Sequence, residues 1–175
     1  MDDYRNLGHW RSFLAIASIG FAFYSPNLLA STSNISSGSQ KSILYQNFAS
    51  KTFTYNPRTL KWHATNNGKV VRSGRGSGGA GYCRDIKRSC RTPSGTYRII
   101  SKRGADCRSS RYPVGRGGAP MPYCMFFSKY YAIHGSYDVP NYNASHGCIR
   151  VKPNDARWLH QNFLGIGTKV VVKPY

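Results

Sequence analysis

Short runs rich in β-branched and aromatic residues, cut apart every few positions by Gly, Asn, Pro and Ser, fill the chain from residue 51 to residue 173. Runs of this kind form strands, because branched side chains pack well on a pleated surface and Gly and Asn supply the turns between them. Strands are predicted at Lys51 to Tyr55, Leu60 to Thr65, Lys69 to Ser73, Thr96 to Ser101, Met125 to Phe127, Tyr131 to His134 and Lys169 to Lys173, with Asn66-Asn67-Gly68 as a hairpin turn. One segment has helical spacing instead. From Asn154 to Phe163 it sets Trp158, Leu159, Asn162 and Phe163 near one face, with Asn154 as N-cap and Gly165 as the stop. The fold class that follows is mainly β, with one substantial helix near the C-terminus.

The chain has 25 Lys plus Arg against 6 acids, a formal charge of +19 over 175 residues, and every acid is Asp. Without Glu there is no zinc-protease helix of the His-Glu-x-x-His kind, no glycosidase built on a Glu acid and no calcium loop closed by a bidentate Glu. At 40% apolar and 14% aromatic residues a core is affordable, which excludes disorder of the whole chain. Ser12 to Tyr24 is an apolar run of thirteen behind Arg5 and Arg11. It is short for a membrane span, which takes about 20 residues, and suits the apolar region of a signal peptide. Residues 1–30 are therefore read as a signal peptide, or an uncleaved N-terminal anchor, and the Ser-rich stretch 31–49 as a flexible linker to a domain over 50–175. Export places the cysteines where disulfides persist.

Twelve Lys or Arg and two Asp lie between Arg72 and Arg116. The chain lacks a zinc-finger pattern, a basic heptad helix and an RNA-stacking signature, so nucleic acid is not the expected partner. Anionic envelope polymers are. Gly76-Ser77-Gly78-Gly79-Ala80-Gly81 matches G-x-G-x-x-G by letter, but no helix opening or ribose-binding acid follows, and it is read as a flexible loop. Cys83, Cys90, Cys107 and Cys124 lie in this basic region and suit two structural disulfides, with three pairings open and proximity favouring Cys83 with Cys90 and Cys107 with Cys124. A four-Cys zinc site is disfavoured, since no C-x-x-C pair occurs. The fifth cysteine, Cys148, stands beside Gly147 and two residues from His146, and a second His-Gly pair occurs at His134-Gly135. A thiol with an imidazole base is a nucleophilic pair, and glycines let backbone N–H groups approach an oxyanion.

Ser145-His146-Gly147-Cys148-Ile149-Arg150 resembles the active-site signature of the L,D-transpeptidases, the YkuD-like catalytic domain family. Thr92-Pro93-Ser94-Gly95-Thr96-Tyr97, Ile133-His134-Gly135-Ser136 and Gly167-Thr168-Lys169-Val170-Val171-Val172 resemble further family segments in the same order. The resemblance implies a β-sandwich-like catalytic domain of the periplasm or cell wall that acts on peptidoglycan stem peptides, with no metal or organic cofactor. It implies Cys148 as nucleophile and His134 as general base, with a backbone carbonyl of Gly135 or Ser136 orienting the imidazole. The Cys148 and Gly147 N–H groups would form the oxyanion hole. His146 would shape the pocket, Arg150 would meet a substrate carboxylate or hold local structure, and Ser145 would be a structural hydrogen-bonder. By the same resemblance a thioester forms with loss of D-alanine and passes to an acceptor amine. Water as the acceptor would make a carboxypeptidase, and an inactive basic envelope-binding protein is the rival from another class.

Two departures stand out. Position 136 is Ser where Thr is common, and the basic, Cys-containing loop insert between Gly81 and Cys124 lies outside the shared core. The insert is expected to dock on the anionic wall and to form a lid with some of Tyr112, Tyr123, Phe126, Phe127, Tyr130 and Tyr131, half or more of which are expected in the core.

Overall fold

A computed structural model describes residues 51–175 of the chain. The assignments of 1–30 as leader or anchor and of 31–49 as linker lie outside the described residues. Among those described, no helix is long and apolar enough to cross a membrane.

Nine strands form one curled sheet: β1 (Lys51–Asn56), β2 (Lys61–Asn66), β3 (Lys69–Ser77), β4 (Gly95–Arg98), β5 (Ser101–Lys102), β6 (Met125–Phe126), β7 (Ala132–Gly135), β8 (Ile149–Val151) and β9 (Lys169–Val172). Their order across the sheet is β4-β9-β1-β2-β3-β8-β7-β6-β5. The long strand β3 is the hinge of the curl: Lys69 to Arg75 pair with β2, while Gly76 and Ser77 pair with β8. Two neighbouring pairs, β1 with β9 and β7 with β8, are parallel. The predicted hairpin turn is present, with Asn67 and Gly68 both at positive φ, as a tight turn matched to the strand twist requires.

A single apolar cluster takes side chains from both halves of the curl. Phe53, Tyr55, Trp62 and Ala64 meet Met125, Ile133, Ile149 and Val151 there, and Ala156, Leu159 and Phe163 of the C-terminal helical segment close it. This is the sandwich-like β domain the sequence implied. The helix is smaller than expected. An α-helix α1 (Pro153–Trp158) runs into a π turn at Leu159–Phe163. Its N-cap is Lys152, not Asn154, and no side chain caps it, because Pro153 takes the first helical position, where its missing N–H costs nothing. Strand β8 had no counterpart in the predicted set, since three residues are too few to show a period.

The Gly76 to Gly81 stretch is also not the flexible loop its composition suggests. Gly76, Ser77, Gly78 and Gly79 are buried. The Gly78 N–H donates to Tyr55 Oη at 2.8 Å and to Asn143 Oδ1 at 2.9 Å. At Gly79 a Cβ would run into the Cys90 carbonyl. These glycines serve close backbone packing.

Candidate active site

Strands β7 and β8 build the site. In their parallel register His134 faces Arg150 and Ile133 faces Ile149. Side chains alternate along a strand, so Cys148 shares the face of Arg150 and His134, while Ile133, Ile149 and Val151 enter the core. That shared face opens on a cleft of about 1030 Å³ lined by His134, Ser136, Ser145, His146, Cys148 and Arg150, among others. Every expected site residue except Gly135 and Gly147 therefore lines one cavity, and these two supply backbone to it.

His134 is only 5% exposed. Its Nδ1 lies 2.9 Å from the Gly135 carbonyl. A carbonyl only accepts, so Nδ1 carries the proton and Nε2 keeps its lone pair. Of the Gly135 and Ser136 carbonyls, it is that of Gly135 that accepts from the imidazole. Burial, helped by the Arg150 charge and opposed by the Gly135 bond, pulls the imidazole pKa from 6.5 down to about 4. Cys148 is half-buried against a cluster of Met121, Ala132 and the Cys107–Cys124 disulfide, and it is the one free cysteine among the described residues. Burial pushes its thiol pKa up, with the Ala132 backbone amide and Arg150 acting the other way. At neutral pH the pair is a thiol beside a neutral imidazole.

The loop before Cys148 is held from below. Thr92 Oγ1 donates to the Gly147 carbonyl at 2.8 Å and accepts from the Gly79 N–H at 2.9 Å. Ser145 Oγ donates to the Cys148 carbonyl at 2.5 Å and accepts from the Gly147 N–H at 2.9 Å. Ser145 Oγ thus ties the two ends of this turn together. The Gly147 N–H, expected in the oxyanion hole, donates to Ser145 Oγ in closing this tight turn. Gly147 has φ +123°, and a Cβ there would strike the Tyr131 ring. Arg150 is held by Asp138 at 2.6 Å. His146 is braced by Asp85 at 2.8 Å and by the Tyr112 ring, stacked at 4.1 Å.

Thr92, Asp85, Asp138 and Tyr112 are contacts that the motifs did not single out as partners. One signal was available for two of them: from residue 51 on, only Asp85, Asp106, Asp138 and Asp155 are acidic; Asp138 and Asp155 form ion pairs with arginines and Asp85 is hydrogen-bonded to His146. The cysteines pair as proximity suggested, Cys83 with Cys90 and Cys107 with Cys124, so the four sulfurs a zinc site would need are consumed. Of the aromatics expected in a lid, Tyr112, Phe126, Tyr130 and Tyr131 line the cleft, whereas Phe127 is in the core and Tyr123 packs against it.

A sandwich-like β domain with an imidazole on one of two adjacent parallel strands and a thiol at the start of the other defines a class, that of the L,D-transpeptidase catalytic domains. Residues 49–172 match the family model described as the L,D-transpeptidase catalytic domain, YkuD, and the chain belongs to that family. An L,D-transpeptidase from Xylanimonas cellulosilytica is similar in structure, with a TM-score of 0.60 at 26% identity over 79% of this chain and 70% of that one. Similar in fold are an L,D-transpeptidase from Mycobacterium smegmatis (TM-score 0.59, 18% identity, 72% of this chain and 59% of that one) and L,D-transpeptidase 3 from Mycobacterium tuberculosis in complex with a faropenem-derived adduct (0.58, 19%, 71% and 60%). The chain thus spans about three fifths of the mycobacterial ones. No curated protein matches it in sequence.

Proposed function

We propose that the protein is a cysteine acyltransferase acting on peptidoglycan stem peptides, with Cys148 as nucleophile and His134 as general base. The observation that carries this is the β7–β8 register, which sets His134, Cys148 and Arg150 on one face of one cleft. As a peptide carbonyl reaches Cys148, the thiol proton passes to His134 Nε2 and Sγ bonds to the carbonyl carbon. The Cys148 N–H faces the oxyanion that develops. Collapse returns the proton to the leaving amine, D-alanine departs, and a thioester remains. An acceptor amine then attacks the thioester; His134 takes its proton and gives it to the departing sulfur. Because the thiol is raised and the imidazole lowered, the proton moves during attack and no thiolate–imidazolium pair stands ready beforehand. The enzyme works at the cell envelope, where its substrate is.

Incubating the protein with a carbapenem and weighing it checks this assignment. Wild type gains a covalent adduct, and Cys148→Ala gains none and loses turnover of tetrapeptide donors by roughly 10⁴-fold or more. An unmodified wild-type protein would sink the assignment. Donor consumption with and without an acceptor amine then separates transfer from hydrolysis.

A further inference from the structure

The basic loops supply much of the lining of the cleft, and its charge is lopsided. Arg88, Arg103, Arg108, Arg111 and Lys129 line it together with Cys148. All five are exposed. The one acid in the lining is Asp138, already held by Arg150; elsewhere among the described residues Asp155 pairs with Arg72 and Asp85 is hydrogen-bonded to His146. None of the five has an acidic partner among the described residues. On a convex surface such cations would be an ordinary solvated face. In a concavity they repel one another across shared water and raise the local concentration of anions.

Two of the five are positioned rather than loose. Arg108 Nη1 donates to the Gly118 carbonyl at 2.7 Å. The Arg111 guanidinium lies 5.9 Å over the Tyr112 ring, which stacks at 4.1 Å on His146, two residues from Cys148. Disulfides close the loops that carry them: Arg88 lies between Cys83 and Cys90, and Arg108 and Arg111 between Cys107 and Cys124. Ordering these loops is therefore done before a ligand arrives. The chemistry that fits is a compact anion bearing several carboxylates, seated so that one carbonyl meets the thiol. A cleft of about 1030 Å³ takes a short peptide.

We propose that this cleft selects stem peptides whose side carboxylates are free over the same peptides with those carboxylates amidated, and that Arg108 and Arg111 are the main determinants. The proposal rests on Cys148 being the acylated thiol. Amidation removes charge while nearly keeping shape, so it isolates the electrostatic part of recognition.

The test measures steady-state turnover of a free and an amidated tetrapeptide donor by the full chain, with carbapenem adduct formation recorded in parallel. At low salt the free donor is preferred about tenfold, in KM rather than kcat, and the preference shrinks several-fold near 0.5 M salt as screening sets in. Arg108→Gln/Arg111→Gln brings the preference to within about twofold of unity while the adduct still forms, which shows the variant folded. Equal use of both donors by a wild type that forms the adduct overturns this proposal and leaves the nucleophile assignment intact. No adduct overturns the assignment beneath it. Inhibition by inorganic polyphosphate together with equal use of both donors would give the cleft to a phosphate polymer, and that too overturns the proposal.

Discussion

The β1–β2–β9 half of the sheet and the basic loops around the cleft stay folded by different means. In the first, Phe53, Tyr55, Trp62, Ala64 and Val170 are wholly buried, and apolar burial supplies the stabilisation. In the second, the buried apolar side chains of 81–90 and 103–124 are four disulfide cysteines and Met121, while Tyr82 and Val114 are exposed. The arginines of these loops are exposed and add nothing to a core. Covalent staples hold these loops in place of a core, and that leaves the cations free to face the cleft.

The sharpest way to break this comparison is to cut into the first region. Trp62 stacks on Phe53 at 5.7 Å, and its Nε1 donates to the Arg75 carbonyl at 3.1 Å. Trp62→Ala should cost about 4 kcal/mol in urea unfolding, the cavity and the orphaned carbonyl acting together. A loss under about 1 kcal/mol would mean that the staples, and not the core, carry the domain.

Acid should produce the next largest effect. An unfolded His134 titrates near 6.5 and the folded one near 4, so the unfolded chain binds the extra proton between these values. Stability is full above pH 6.5 and falls as the pH drops to about 4, by on the order of 3 kcal/mol. His134→Asn should flatten that part of the pH–stability curve. Turnover should fall over the acid end of the same window, because the protonated imidazole cannot accept the thiol proton.

The staples come last and should differ from each other. Replacing Cys107 and Cys124 by Ser opens a loop closed over a separation of 17 and should cost about 3 kcal/mol. Replacing Cys83 and Cys90 opens a separation of 7 and should cost about 2–3 kcal/mol by loop entropy alone. Thermal unfolding of the two double variants checks the order, and a reversal would show that native-state contacts outweigh loop length.

Much of the site was legible along the chain because its parts are local. Ser145 to Arg150 form one contiguous turn and strand, and His134-Gly135 carries both the imidazole and the carbonyl that orients it. The longer strands were legible from their composition. The three-residue β8 was not, nor was the packing duty of Gly76 to Gly79, because both depend on what lies across the sheet: Ser77 on Arg150, and Gly79 under the Cys90 carbonyl. The N-cap shifted from Asn154 to Lys152 for a local reason, the pull of Pro153 toward the first helical position.

By itself the sequence determined the class of fold, the family, the nucleophile and base candidates and the excess of positive charge, since residue types and short spacings carry all of these. The tertiary structure alone decided which face each residue shares and which charges are left without partners. Register across β7 and β8 put Arg150 opposite His134 at the cleft that Cys148 also lines, burial drew the imidazole down and pushed the thiol up, and the stapled loops gathered their cations into the same cleft. Those are consequences of contacts between residues far apart in the chain, and no local pattern encodes them.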